Sequence, residues 1–315
     1  MRIDVGDKVM RVKVGYPVLE RIVSKVLPFA AEENHRYAMC GVQFKQGTNG
    51  LQVAATDGRH LVRWSTGAFW GVGDGVIPVK GLKMLGKMWK GSKTSVEKAS
   101  LLSRPGIDYR SVNFYGESPS AEGNGTRLLM LQYDRGEIAL EVRAVDPEVA
   151  RFPDVESLFD EALVIGNVDG ECFDRALSTI NVSQKMITEH GNTVTRLWWS
   201  KTGLGFHIGR EGSSGVGIKN EAGCHESQSV WLNEVYLRHL RKFCTRFHGR
   251  KGRVIIKTKA FGTQMATSSK ATPNRDFGRG PVRFEGHSEE GSWGVIIMPI
   301  LAPFTLKDGT VVSDE

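Results

Sequence analysis

From Leu51 to Val62 the chain reads LQVAATDGRHLV, and the step Asp57-Gly58-Arg59-His60 is its tightest grouping of side chains suited to polar chemistry. A carboxylate followed by glycine between two alternating runs turns the backbone, because Asp57 can accept from the amides after it and Gly58 can adopt positive φ. The corner therefore predicts a docking element that holds Arg59, His60 and Leu61 at the start of a strand. It does not predict catalysis. Asp57, Asp146 and Asp154 each stand beside glycine or proline, where capping amides is the ordinary role, and no serine-histidine or cysteine-histidine pattern accompanies them.

Two further groupings predict no chemistry. Cys224-His225, His239, Cys244 and His248 are metal-ligating types, but they lack the paired spacing of a structural zinc site. The run GLGFHIGREGSSGVG, Gly203 to Gly217, has neither the lysine-serine or lysine-threonine ending nor the following helix of a phosphate-cradling loop, and it reads as strand and loop. No metal, cofactor or enzymatic activity is expected. Basic side chains are the remaining resource: Lys and Arg number 42 against 35 Asp and Glu, a net charge of +7 that favours a polyanionic partner.

A chain of 315 residues with 40% hydrophobic content is expected to build two domains. Its four cysteines, Cys40, Cys172, Cys224 and Cys244, include no CxxC pair and fit reduced thiols of a cytoplasmic protein. The start, MRIDVGDKVMRVKV, alternates charged and aliphatic residues and reads as neither signal peptide nor membrane span; no membrane association is expected.

Most of the chain reads as short strands punctuated by Gly, Asn and Ser. Gly47-Thr48-Asn49-Gly50 between extended runs predicts a hairpin just before the corner. Helical spacing predicts four helices. Tyr16 to Val26 carries Val18, Leu19, Ile22, Val23 and Val26; Val79 to Trp89 carries Leu82, Leu85 and Trp89 opposite Lys83, Lys87 and Lys90. Gly170 to Ile180 aligns Phe173, Ala176, Leu177 and Ile180, and Asn233 to Phe247 places Val235, Tyr236, Leu240 and Phe243 among Arg238, Arg241, Lys242 and Arg246. Within each pair, about 60 residues of strand-like sequence separate the helices, as in an internal duplication. Ser103 to Thr126, Gly209 to Gln228 and Gly262 to Gly291 read as surface loops, the last with room for strand pieces.

Six ordered motifs span nearly the whole chain: RYAMCGVQF (Arg36 to Phe44), AATDGRHLV (Ala54 to Val62), VIPVKGLKML (Val76 to Leu85), RFPDV (Arg151 to Val155), WLNEVYLRHL (Trp231 to Leu240) and IIMPIL (Ile296 to Leu301). The first three resemble the middle domain of the bacterial DNA polymerase III beta subunit, the sliding clamp, and the last two its final domain. The resemblance implies an α+β fold of two DNA-clamp-like domains, each a duplicated helix-plus-antiparallel-strands unit. Residues 1–160 would correspond to the family's middle domain, 161–303 to its C-terminal domain, and 304–315 to an extra tail.

The resemblance also implies function. A clamp forms no bond; it encircles duplex DNA as a processivity factor and tethers the replicative polymerase, the clamp loader and other partners through short peptides. Positions matching the partner-peptide groove are Met39, Thr56, Gly58, Arg59, His60, Leu61, Pro153, Ser157, Leu158, Ile296, Met298, Pro299, Ile300 and Leu301. Charged substitution of Met298 and Leu61 is expected to abolish peptide binding and leave the fold intact. Candidates for sequence-independent contact with DNA phosphates on the helices are Arg21, Lys25, Lys83, Lys87, Lys90, Arg175, Lys185, Arg238, Arg241, Lys242 and Arg246.

Departures from the family are informative. The usual beta subunit has three domains and closes as a dimer, whereas this chain matches two, so a six-domain ring takes a homotrimer, as in clamps of eukaryotes, archaea and some phages. Arg59-His60 reverses the family's usual His-Arg, and Ser157 stands where an arginine is usual, so peptide specificity is expected to differ. A non-encircling adaptor or competitor for clamp-binding peptides is the alternative.

Overall fold

Short strands with buried alternate positions, each group led by one strand and a helix, build this chain from a repeated module. The computed structural model describes residues 8–32, 37–47, 50–66, 70–84, 86–87, 111–117, 128–133, 136–141, 152–159, 162–187, 194–200, 203–208, 214–221, 228–244, 252–258, 280–288, 291–300, 304–305 and 311–312. It divides into two units, Met1–Asp154 and Val155–Glu315.

In the first unit β1 (Lys8–Gly15) leads into α1 (Tyr16–Arg21), which widens into a π turn over Ile22–Val26 and ends in a tight 3-10 turn at Leu27–Phe29. After a 3-10 turn at Tyr37–Cys40 come β2 (Gly41–Gly47), β3 (Gly50–Thr56) and β4 (His60–Thr66). The pattern then repeats: β5 (Trp70–Pro78), a helix α2 (79–84 and 86–87), β6 (Ser111–Glu117), β7 (Leu128–Tyr133) and β8 (Gly136–Glu141). Strand alternation decides which face is core. Val42, Phe44, Val53, Val62 and Trp64 are fully buried, while the intervening Gln43, Lys45, Gln52 and Arg63 retain exposure. The two helices meet where a Cβ on Gly86 would come 3.0 Å from Val23, so glycine sets their approach.

The second unit repeats the module more regularly. β9 (Leu163–Asp169), α3 (Gly170–Ile187), β10 (Val194–Trp199), β11 (Gly203–Ile208) and β12 (Ser214–Lys219) form one copy. The other is β13 (Gln228–Asn233), α4 (Glu234–Cys244), β14 (Arg253–Thr258), β15 (Val282–Ser288) and β16 (Gly291–Ile297). The copies exchange their leading strands. β9 pairs with β14 of the other copy, and β13 pairs with β10. Unit one does the same, β1 pairing with β6 and β5 with β2. Neither copy can complete its sheet alone, which makes each unit a single cooperative body.

Both helices of the second unit start at a side-chain cap. Asp169 Oδ1 accepts the Cys172 amide at 3.0 Å, and Asn233 Oδ1 accepts the Val235 amide at 2.8 Å. Their apolar stripes cover the sheets, with Phe173 5.8 Å from the Phe284 ring and Phe243 edge-on to Trp293 at 5.8 Å. Each such pair adds about 0.5–1.5 kcal/mol beyond the area it buries.

Several expectations need adjustment. The first helix changes pitch at Ile22, the third extends to Ile187, and the fourth begins after Asn233, which serves as its cap. Starting at Glu234 puts Leu237, Leu240, Phe243 and Cys244 inside and turns Val235 outward. β6 lies within the expected loop 103–126 and β12 within 209–228, while β15 is a strand piece of the kind allowed for within 262–291. Leu85, Trp89, Cys224, His225, residues 245–251 and 261–279 lie outside the described residues. The tail contributes two paired two-residue strands, β17 (Phe304–Thr305) and β18 (Val311–Val312). Among the described residues no helix is long and apolar enough to cross a membrane.

Candidate functional site

The Thr-Asp-Gly corner closes β3 onto β4 with hydrogen bonds from nearly every residue in it. Thr56 pairs with Leu61, and Asp57, Gly58 and Arg59 form the turn. Asp57 Oδ1 accepts the amides of Arg59 and His60, both at 2.8 Å, and the Gly58 amide donates to Thr56 Oγ1 at 3.0 Å. Thr56 Oγ1 in turn donates to the His60 carbonyl at 2.7 Å. Gly58 takes φ +89°, a conformation that would strain any residue with a Cβ.

Burial sorts the corner's side chains. Arg59 is exposed, whereas Thr56, His60 and Leu61 are buried, so only Arg59 is displayed at the turn itself. The His60 ring stacks 4.7 Å from Phe29, and its Nδ1 lies 2.7 Å from Asp57 Oδ1, an electrostatic contact off the ring's N–H direction. Burial pushes the Asp57 carboxyl upward, but the His60 side chain and the two donated amides outweigh it and hold the group below the usual carboxylate value. Met39 is drawn to the same place, its Sδ 3.6 Å from where a Gly58 Cβ would sit. Sequence gave no sign of Phe29, which reaches His60 from the far end of the first helical segment.

In the second unit, the candidate positions come from the turn that begins at Val155 and from β16 and the residues that follow it. The turn Val155–Phe159 is closed by the Phe159 amide donating to Glu156 at 2.8 Å, and it leaves Ser157 and Leu158 exposed. Phe159 lies directly on Gly294, where any Cβ would collide with the ring. Ile296, two residues along the same strand face, is buried, and Met298 just beyond it is 41% exposed. Pro299 and Ile300 are half-buried, and the Ile300 amide donates to Trp231 O at 2.8 Å, tying the segment after β16 to β13. Pro153 is half-buried, and Leu301 lies outside the described residues. Nothing local to Phe159 marks it in the sequence; the signal lies at Gly294, since a glycine inside a strand indicates close approach.

No protein-family model and no curated protein matches the chain. Solved structures do. The DNA polymerase III beta subunit of Borrelia burgdorferi, solved with a natural product, superposes over 96% of this chain with a TM-score of 0.60 at 12% identity. The Pseudomonas aeruginosa sliding clamp covers 94% at 0.60 and 16% identity, and the Helicobacter pylori clamp bound to a DNA ligase peptide covers 96% at 0.57 and 14%. The chain has the fold of a bacterial beta sliding clamp. It spans 65%, 68% and 68% of the length of those three chains, about two thirds of a clamp subunit.

Within this clamp fold the basic candidates divide by environment. Lys83, Lys87, Arg175, Arg238 and Lys242 are exposed, and Arg21, Lys25 and Arg241 are half-buried. Three of them already meet carboxylates: Lys83 with Glu32 at 3.1 Å, Arg175 with Glu171 at 3.1 Å and Arg238 with Glu234 at 3.5 Å. The Lys83–Glu32 and Arg175–Glu171 pairs are exposed, contribute about 0–1 kcal/mol and are screened by salt, whereas the Glu234 carboxylate that Arg238 meets is buried. Lys185 is on α3 with its side chain outside the described residues, as are Lys90 and Arg246 entirely.

Proposed function

We propose that this chain is a DNA sliding clamp, a processivity factor that encircles duplex DNA without reading its sequence and tethers a replicative polymerase, a clamp loader and other partners through a peptide-binding groove. The observation that carries this reading is the doubled strand–helix–three-strand module with exchanged leading strands, in a fold shared with beta clamps over 96% of the chain. The helices supply exposed cations, and loose, interchangeable contacts from cations to phosphates give affinity without register, which is what sliding requires.

The groove half of the proposal is supported by exposed Met298 and Leu158. Water-facing apolar side chains cost the free protein solvation and are regained by a partner, and a flexible thioether adapts to several apolar peptides. The Helicobacter pylori clamp holds a DNA ligase peptide, and a short apolar peptide is the partner class assigned here.

A ring of six clamp domains takes three copies of a two-domain chain. Sedimentation at micromolar concentration is expected to give a trimer mass. A monomer alone would contradict ring formation and favour the adaptor reading, in which the chain only binds clamp-interacting peptides.

A further inference from the structure

The sheet β12-β11-β10-β13 buries one face under helices and leaves the other open. On the open face a single cross-strand row runs His207, Arg196, Trp231, Ile300, because Arg196 pairs with His207 and Trp231, and Trp231 is bridged to Ile300. Paired residues of antiparallel strands point to the same side. The row therefore continues the segment that carries Met298 and Ile300 onto a neighbouring surface. Arg196 is fixed there: its Nε donates to Ser229 Oγ at 2.8 Å and its guanidinium lies 5.9 Å from the Trp231 ring centre. It is exposed, and among the described residues no carboxylate pairs with it. Lys219 shares this face, and none of the described residues directed to it on β10 to β13 is acidic.

We propose that Arg196, stacked on Trp231 beside Ile300, is a specificity residue that selects partner peptides carrying a carboxylate next to their apolar anchor. The proposal rests on the peptide-groove reading above and names what that groove prefers. A stacked guanidinium offers fixed parallel donors to a carboxylate, so little side-chain freedom remains to be lost on binding. The described residues directed to this face on β10 to β13 are positive or neutral, which repels a basic flank and leaves a neutral one unrewarded.

The test uses two labelled, capped peptides that share a Leu-Phe anchor and differ only in Glu or Gln on both sides of it, titrated by anisotropy. The wild-type chain is expected to bind the Glu peptide about tenfold more tightly, the scale of one charge-assisted hydrogen bond. Arg196→Gln is expected to remove that preference without changing affinity for the Gln peptide, and Arg196→Glu to reverse it toward a Lys-flanked twin. Equal wild-type binding of the Glu and Gln peptides, both abolished by Met298→Asp, would overturn this assignment and leave the groove standing. Wild-type binding of neither would overturn the groove and the assignment together.

Discussion

Asp57 Oδ1 gathers two backbone amides and the His60 ring at one turn, and that convergence makes the corner sensitive to pH. Its carboxyl is held below 3.8 in the folded chain, so the stability it contributes is fully present above that unfolded value and is lost as pH falls through the lower folded one. Asp57→Asn keeps an acceptor oxygen but loses the charge. Urea unfolding is expected to show the variant weaker by about 1 kcal/mol near neutral pH, with the gap closing below about pH 4. A gap independent of pH would mean that the charge contributes nothing. Leu61 and Met298 differ in the same local terms. Leu61 is buried, so a charge there is expected to cost several kcal/mol, roughly 2–5, and to damage the fold, against the sequence expectation that it would be tolerated. Met298 is exposed, and Met298→Asp is expected to shift stability by no more than about 0.5 kcal/mol while abolishing peptide binding, checked by melting and anisotropy together.

Among elements, β16 shows how a glycine can position a site. Phe159 rests on Gly294, so a ring on a bare backbone position helps to anchor the turn displaying Ser157 and Leu158. Gly294→Ala is expected to destabilise the chain by about 1–3 kcal/mol, and Phe159→Ala in the same chain should recover much of that loss. Additive losses in the double variant would show that the ring is not what the methyl group meets. Glycines also shape the hairpin whose first strand the sequence indicates and whose second falls in an expected loop: Gly203 and Gly205 underlie the Trp198 ring, whose Nε1 would come 2.7 Å from a Gly205 Cβ, and β11 pairs with β12. The helices and the corner were legible because their signals are local: a 3.6-residue apolar spacing, an Asp-Gly turn, a cap. Strand exchange between module copies, and the Phe29–His60 and Phe159–Gly294 contacts, were not, because they depend on partners distant in sequence.

For the molecule as a whole, the module occurs four times along the chain, twice in each unit, and the helix of every copy carries at least one basic candidate. In the proposed ring, equivalent cations recurring around a duplex would favour no single register. The basic balance of the sequence points to a polyanion, and the fold sets exposed cations on its repeated helices. Topology separates enclosure from ordinary electrostatic binding, which should fall with salt on any DNA form. The direct measurement loads the protein on circular duplex DNA, washes at high salt, and then cuts the circle. The account predicts retention on the intact circle and release after linearisation; equal loss from circular and linear DNA, following salt alone, would contradict it.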